Sequence, residues 1–282
     1  MLHNLRFSDM GKEPQNFICT HCPNLWSLLN LRARRELPKG LKDFLSGEEA
    51  KIGKMYLRNA ESRIDCLFRK LSKKEVGDHY RRDLSGVDTE IKLAELLCEI
   101  TLVAALSNLS SEIPVIRPKN NSGRSCDVKV NLVDVDVYGD SKRLVDKGPT
   151  GKRSIAKSPA GLKPADSARP RSMDIYSKLK DTHRQFPKDT VNIIFLFHRS
   201  FGKSVSYIRQ ALFGNGTFFQ NEDVILLEDD GLFAIEEWRK ISGCAYTMID
   251  QNGTLSMKQL WQNPRAATQI AKEVNEKLKE LS

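Results

Sequence analysis

The stretch from Asp127 to Leu144 constrains this chain more than any other, because it holds two strand-length segments of matched polarity. Side chains alternate across a strand. In the second segment, Val133, Val135 and Val137 fall on one face, and Asp136, Tyr138, Asp140 and Lys142 on the other. In the first, Val128, Val130 and Leu132 are apolar, while Asp127, Lys129 and Asn131 are polar. A tight turn at Val133-Asp134 would pair Leu132 with Val135, Val130 with Val137 and Asp127 with Asp140. Apolar then meets apolar, and two carboxylates lie side by side. Like charges directly opposite one another destabilise a sheet unless something compensates. A divalent cation does so, since hard oxygen ligands suit magnesium. Val-Asp is not a favoured two-residue turn, so the register rests on the apolar matching alone.

The elements on either side are read from periodicity. Residues 1 to about 80 are charged and mostly helical, with short apolar faces at Leu41–Leu45 and Ile64–Phe68. A continuous helix follows Gly86, its apolar residues Leu93, Leu97, Ile100 and Ala104 recurring at intervals of three and four. Ile113 to Arg117 reads as a strand closed by turn residues Pro118, Asn120, Asn121 and Gly123. After the hairpin, residues 145–172 form a basic linker containing Lys152, Arg153 and Lys157. A helix with Ile175, Leu179 and Phe186 on one side precedes a buried strand, Val191 to Phe197. Val224–Leu227 and Ala245–Ile249 are strand-like, Phe233–Lys240 is helical, and Gly253 marks a turn. Ile270, Val274, Leu278 and Leu281 give the last helix its apolar face. These elements predict an α/β chain: an N-terminal helical region over residues 1–80 and a larger domain over 81–282.

A third carboxylate is expected from the helix before the hairpin. Glu90 precedes Leu93, Ala94 and Leu97 by three, four and seven residues, which puts it on the inward stripe. Glu95 and Glu99 fall on a different side and are expected to be solvated.

Asp140-Ser141-Lys142 is an acid-x-lysine tripeptide, which alone says little in a chain this charged. An inward glutamate, an aspartate opening the second strand and acid-x-lysine in the third resemble the signature of the PD-(D/E)XK nuclease superfamily. The order helix, three strands, helix, strand matches that superfamily's restriction-endonuclease-like αβββαβ core with its mixed central sheet. The resemblance spans roughly Gly86 to Phe197, and Gly231-Leu232-Phe233 and Asn263-Pro264 look like parts of uncharacterised bacterial members. It implies hydrolysis of phosphodiester bonds in DNA, by endonucleolytic cleavage, with Mg²⁺ or Mn²⁺. Asp127, Asp140 and the Ser141 carbonyl would ligate the metal. Lys142 would orient or deprotonate water, and Glu90 would hold a second metal or a metal-bound water. Two positions depart from the pattern: Cys126 stands where proline is common, and Asp140 replaces the commoner glutamate. The alternative is a non-catalytic nucleic-acid-binding module on the same fold.

Charge agrees with a polyanionic partner, at a formal net +9 over 282 residues. Lys152, Arg153, Lys157, Arg199 and Lys203 are the candidate nucleic-acid contacts. Gln185, ending the helix after the linker, stands where some superfamily members place a functional glutamine. Cys19-Thr-His-Cys22 resembles half of a zinc site but has no second Cys/His pair. The six cysteines are mostly isolated, as in a reducing compartment. With no signal peptide and no bilayer-length apolar run, a cytoplasmic location and no membrane partner are expected. A homodimer stays open.

Overall fold

A computed structural model describes residues 12–29, 37–46, 50–144, 175–197, 203–214, 231–249 and 255–281. The N-terminal helices are α1 (Lys12–His21), α2 (Pro23–Leu28), α3 (Lys39–Ser46), α4 (Ala50–Lys70) and α5 (Lys73–Ser85), followed by α6 (Glu90–Leu109). Sequence explains where two of them start. Ser72 and Glu75 form a reciprocal capping box at α5, satisfying N–H groups that a helix start leaves free. Thr89 caps α6 by accepting from the Lys92 N–H at 3.3 Å.

The strands are β1 (Val115–Ile116), β2 (Val128–Leu132), β3 (Val135–Arg143), β4 (Val191–Phe197), β5 (Gly243–Ile249) and β6 (Leu255–Gln262), with α7 (Lys203–Phe213) between β4 and β5 and α8 (Lys272–Lys279) last. They form one six-stranded open sheet in chain order. The sheet is mixed: β3–β4 and β4–β5 are parallel, and the other neighbouring pairs antiparallel. The expected α/β class is therefore observed.

β4 is buried along its whole length, as a central strand with both faces covered should be. Val191, Ile193, Phe195 and Phe197 pack on the side of α6 and the N-terminal helices, while Ile194 and Leu196 pack on the other. That second side is closed by α7 and by the 3-10 turns Leu232–Ala234 and Glu236–Lys240, through Phe213, Phe233 and Trp238.

The hairpin register agrees with the apolar matching: Leu132 faces Val135 and Val130 faces Val137. Val133 and Asp134 make the turn with φ of 52° and 60°, the left-handed pair that a tight hairpin demands. Other expectations need correction. The strand at 113–117 shrinks to Val115–Ile116, the helix at 233–240 is two 3-10 turns, and β6 and α7 had no sequence counterpart. The helix read from Ile175 to Phe186 is a helical segment at 175–179 and a 3-10 turn at Thr182–Gln185. Val224–Leu227 and the basic linker lie outside the described residues.

Candidate active site

The site forms where β3 outruns its neighbour. The β2–β3 ladder ends at the pair Val128 and Gly139, while β3 continues to Arg143 alongside β4. Beyond the ladder, Asp127 does not pair with Asp140. Its N–H donates instead to the Gly139 carbonyl at 3.0 Å. Its carboxylate takes the place of the missing strand: Oδ2 accepts from the Ser141 N–H at 2.7 Å and from Ser141 Oγ at 2.6 Å. A main-chain donor that would otherwise lack a partner is satisfied by a side chain.

Asp140 is 1% exposed, and its Oδ2 lies 2.5 Å from Lys142 Nζ. Burial, reinforced by the charge of Asp127, pushes its carboxyl up to about 8 even against Lys142. Lys142 Nζ also donates to Gln185 Oε1 at 3.3 Å. Burial pulls the lysine toward its neutral form, but Asp140 outweighs it and the ammonium is held more firmly than usual.

A cavity of about 710 Å³ opens beside this cluster, lined by Asp127, Ser141, Lys142 and Arg143 from the sheet and by Glu95 and Glu99 from α6. Glu90 is not among its lining residues; it is the first residue of α6 and exposed. The inward assignment of Glu90 and the solvated assignment of Glu99 are both overturned in placement. α6 buries residues on nearly every side, including Leu93, Leu96, Leu97, Cys98 and Ile100. An apolar stripe read from its sequence therefore has no unique direction.

Glu99, 13% exposed, is gripped by Arg117 through two bonds, Nε to Oε1 at 2.8 Å and Nη2 to Oε2 at 3.1 Å. Burial, with some help from Asp127, lifts its carboxyl to about 7 although Arg117 opposes the rise. Arg117 also binds Asp83 at 2.7 Å and the His79 carbonyl at 2.9 Å, and lies 5.2 Å over the ring of buried Tyr80. Its main-chain N–H donates to the Asp127 carbonyl at 2.8 Å. It does all this at φ 49°, a strained setting for a non-glycine residue. Sequence reasoning treated Arg117 as the end of a strand and missed it. Its one visible signal was its position just before Pro118, where the chain must break from the sheet.

Among the described residues, the cysteine motif gathers no metal set. Cys19 is exposed and Cys22 buried, and burial holds the Cys22 thiol protonated, up to about 12. Among the described residues, no group of three or more His, Cys, Asp or Glu side chains is arranged to hold a metal ion. Lys152, Arg153, Lys157 and Arg199 lie outside the described residues, as does the side chain of Lys203 at the start of α7. Asn263 serves packing, donating from Nδ2 to the Trp238 and Ile241 carbonyls. Gly231 lies where a Cβ would meet the Phe213 and Gly214 backbone at 2.5–2.6 Å. Among the described residues no helix is long and apolar enough to cross a membrane.

No protein-family model, no curated protein and no solved structure matches this chain.

Proposed function

We propose that this chain is a metal-dependent nuclease with a restriction-endonuclease-like core, cleaving phosphodiester bonds in DNA. The observation that carries the reading is a buried aspartate, Asp140, held against Lys142 and destabilised by Asp127 at the open edge of β3. Asp140 does not itself line the cavity, but its partner Lys142 and its neighbours Asp127 and Ser141 do. A carboxylate pushed up by burial and a like charge behind such a lining is the environment that functional sites build.

The donor set fits Mg²⁺ or Mn²⁺ on chemical grounds. Asp127, Asp140 and the Ser141 carbonyl offer hard oxygens that would hold the ion, and a cation would offset the repulsion that Asp127 exerts on Asp140. Magnesium usually keeps several waters and takes only one or two carboxylates plus substrate phosphate, so a cage of three protein ligands is not required. Bound there, the ion would stabilise negative charge developing on the phosphoryl group. Lys142, its ammonium 2.5 Å from Asp140 Oδ2, acts as a hydrogen-bond donor that orients water or phosphate rather than as a base. Gln185 steadies its ammonium. Glu99 takes the place sought for Glu90, aimed by Arg117.

A non-catalytic nucleic-acid-binding module is the second reading. It is favoured by the fact that Asp127, Asp140 and Glu99 each already have a protein partner. Incubation of plasmid and single-stranded DNA with the purified protein and Mg²⁺ or Mn²⁺ separates the two. Cleavage lost in both Asp140→Asn and Lys142→Ala upholds the nuclease. DNA binding without cleavage under every condition leaves the module.

A further inference from the structure

Lys178, on the helical segment 175–179, lines the same cavity as Asp127, Ser141 and Lys142. Its Nζ donates to Glu95 Oε1 on α6 at 3.2 Å and also to the Arg143 main-chain carbonyl. The ion pair thus ties that segment to α6 beside the end of β3. It is an open contact, with the lysine side chain 35% and the glutamate 45% exposed. Exposed pairs of this kind are weak and exchange readily with solvent and ions.

The second observation is Arg143, which also lines the cavity. Its Nη1 is shut off from solvent and has no hydrogen-bond partner among the described residues. A guanidinium carries five donors in a fixed fork suited to oxyanions. A buried donor without an acceptor is costly to a fold, and such an orphan calls for an explanation.

We propose that Lys178 and Arg143 form a binding site for a backbone phosphate of the substrate strand, and that Glu95 occupies Lys178 until that phosphate displaces it. The identity of the anion rests on the nuclease reading. The arrangement itself rests on the Lys178–Glu95 contact and the orphan donor of Arg143. Arg143 is only half-buried as a whole and lines the cavity, so its guanidinium can turn toward an entering phosphate, which then supplies the acceptor that Nη1 lacks. It can outcompete Glu95 for Lys178 because a polyanion also releases its condensed counterions when a cation replaces them. Glu95 therefore acts as an internal competitor that raises the threshold for weak, isolated anions.

The test is a double-mutant cycle on the full chain, read by binding of a fluorescein-labelled single-stranded oligonucleotide in EDTA over a range of NaCl. Lys178→Gln should weaken binding by about 3- to 10-fold and reduce the log–log salt slope by about 0.7, the loss of one single-strand phosphate contact. Glu95→Gln should tighten binding by about 3-fold, as expected for removal of one weak competing ion pair. In the Lys178→Gln background that gain should vanish. A gain that persists undiminished there means that Glu95 merely repels DNA through space, and the proposal falls. It falls equally if wild-type protein shows no salt-dependent binding. Cleavage is scored separately with Mg²⁺. Protein that obeys the cycle but never cuts loses the nuclease reading and keeps this site, while protein that cuts but ignores the cycle does the reverse.

Discussion

Residues 137–139 and 140–143 belong to the same strand and live in different chemistry. The first three are flanked by both β2 and β4, the last four by β4 alone. In the paired stretch the backbone satisfies itself through the ladder, and packing decides what is tolerated. In the open stretch an edge is left bare, so side chains take over the backbone's bonds and collect charge. Asp127 bonds Ser141, Asp140 meets Lys142, and Arg117 brings Glu99 to the same cavity. Ending a ladder inside the domain lets a fold gather carboxylates that a continuous sheet would exclude.

The largest effects should come from the open stretch. Asp140→Asn and Lys142→Ala should each lower Mg²⁺-dependent cleavage by about 100-fold or more, typical for losing one charge-stabilising group. Binding of DNA without metal should survive Asp140→Asn, since at neutral pH the amide matches the largely protonated carboxyl in size and charge. Cleavage at the wild-type rate in either variant would show that the chemistry lies elsewhere.

A second comparison, around the cavity, sets Glu99 against Glu90. Glu99→Gln should cost about 10- to 100-fold in cleavage, the usual range for a residue supporting a metal site. Glu90→Gln should leave cleavage unchanged, because Glu90 is exposed and not among the residues that line the cavity. The reverse result would restore the stripe read from the sequence.

In the paired stretch, stability rather than activity should respond. A Cβ at Gly139 would lie 3.0 Å from Leu106 Cδ1, 3.2 Å from Val128 Cγ1 and 3.3 Å from Phe195 Cε2. Gly139→Val should destabilise the chain by about 1–3 kcal/mol in urea denaturation, the cost of overpacking a filled core. Ser141→Ala, two residues on, loses one hydroxyl bond to Asp127 and should cost only about 1 kcal/mol. Equal losses would mean that the two stretches are packed alike.

The pH dependence distinguishes the stretches again. Asp140 goes from an ordinary 3.8 to about 8 on folding, and Glu99 from 4.5 to about 7. Between those values the folded chain binds more protons than the unfolded chain, so stability falls as pH rises. The contribution is fully present below the unfolded value and lost as pH passes through the folded one. In metal-free buffer, thermal unfolding should move to lower temperature from pH 5 to pH 8. Asp140→Asn should flatten that trend and leave the smaller share due to Glu99. A slope untouched by Asp140→Asn would place the titrating group elsewhere.

How much of this was legible follows from the same division. The hairpin register could be read because alternating valines leave only one way to match apolar faces, and β4 because a run such as Val191–Phe197 must be buried on both sides. The offset of Asp127 from Asp140 could not be read, since nothing in local composition says where a ladder stops. Glu99 was hidden because α6 is apolar nearly all round, so which glutamate turns inward is decided by Arg117, 18 residues away in sequence. β6 was hidden by its lack of alternation: only Leu255 and Trp261 are buried along it.

The smallest effect, and the cleanest check on the paired stretch, is at the hairpin turn. Val133 and Asp134 both hold positive φ, and Val133 is 53% exposed, so its side chain gains little from burial. A β-branched residue in the left-handed region is strained, whereas Asn and Gly enter it at low cost. The turn is therefore imposed by the apolar pairs behind it, Leu132 with Val135 and Val130 with Val137. Replacing Val133-Asp134 with Asn-Gly should relieve the strain and stabilise the chain by about 1 kcal/mol, the scale of a favourable turn substitution. Cleavage should stay at the wild-type level, because the turn lies at the far end of β3 from Asp140 and Lys142. A stabilised protein with altered cleavage would show that strain at the turn reaches the open edge, and that the two stretches of β3 are coupled. Loss of stability would mean that Val133 makes contacts worth more than its backbone strain, and that the register depends on the turn as well as on the pairs behind it.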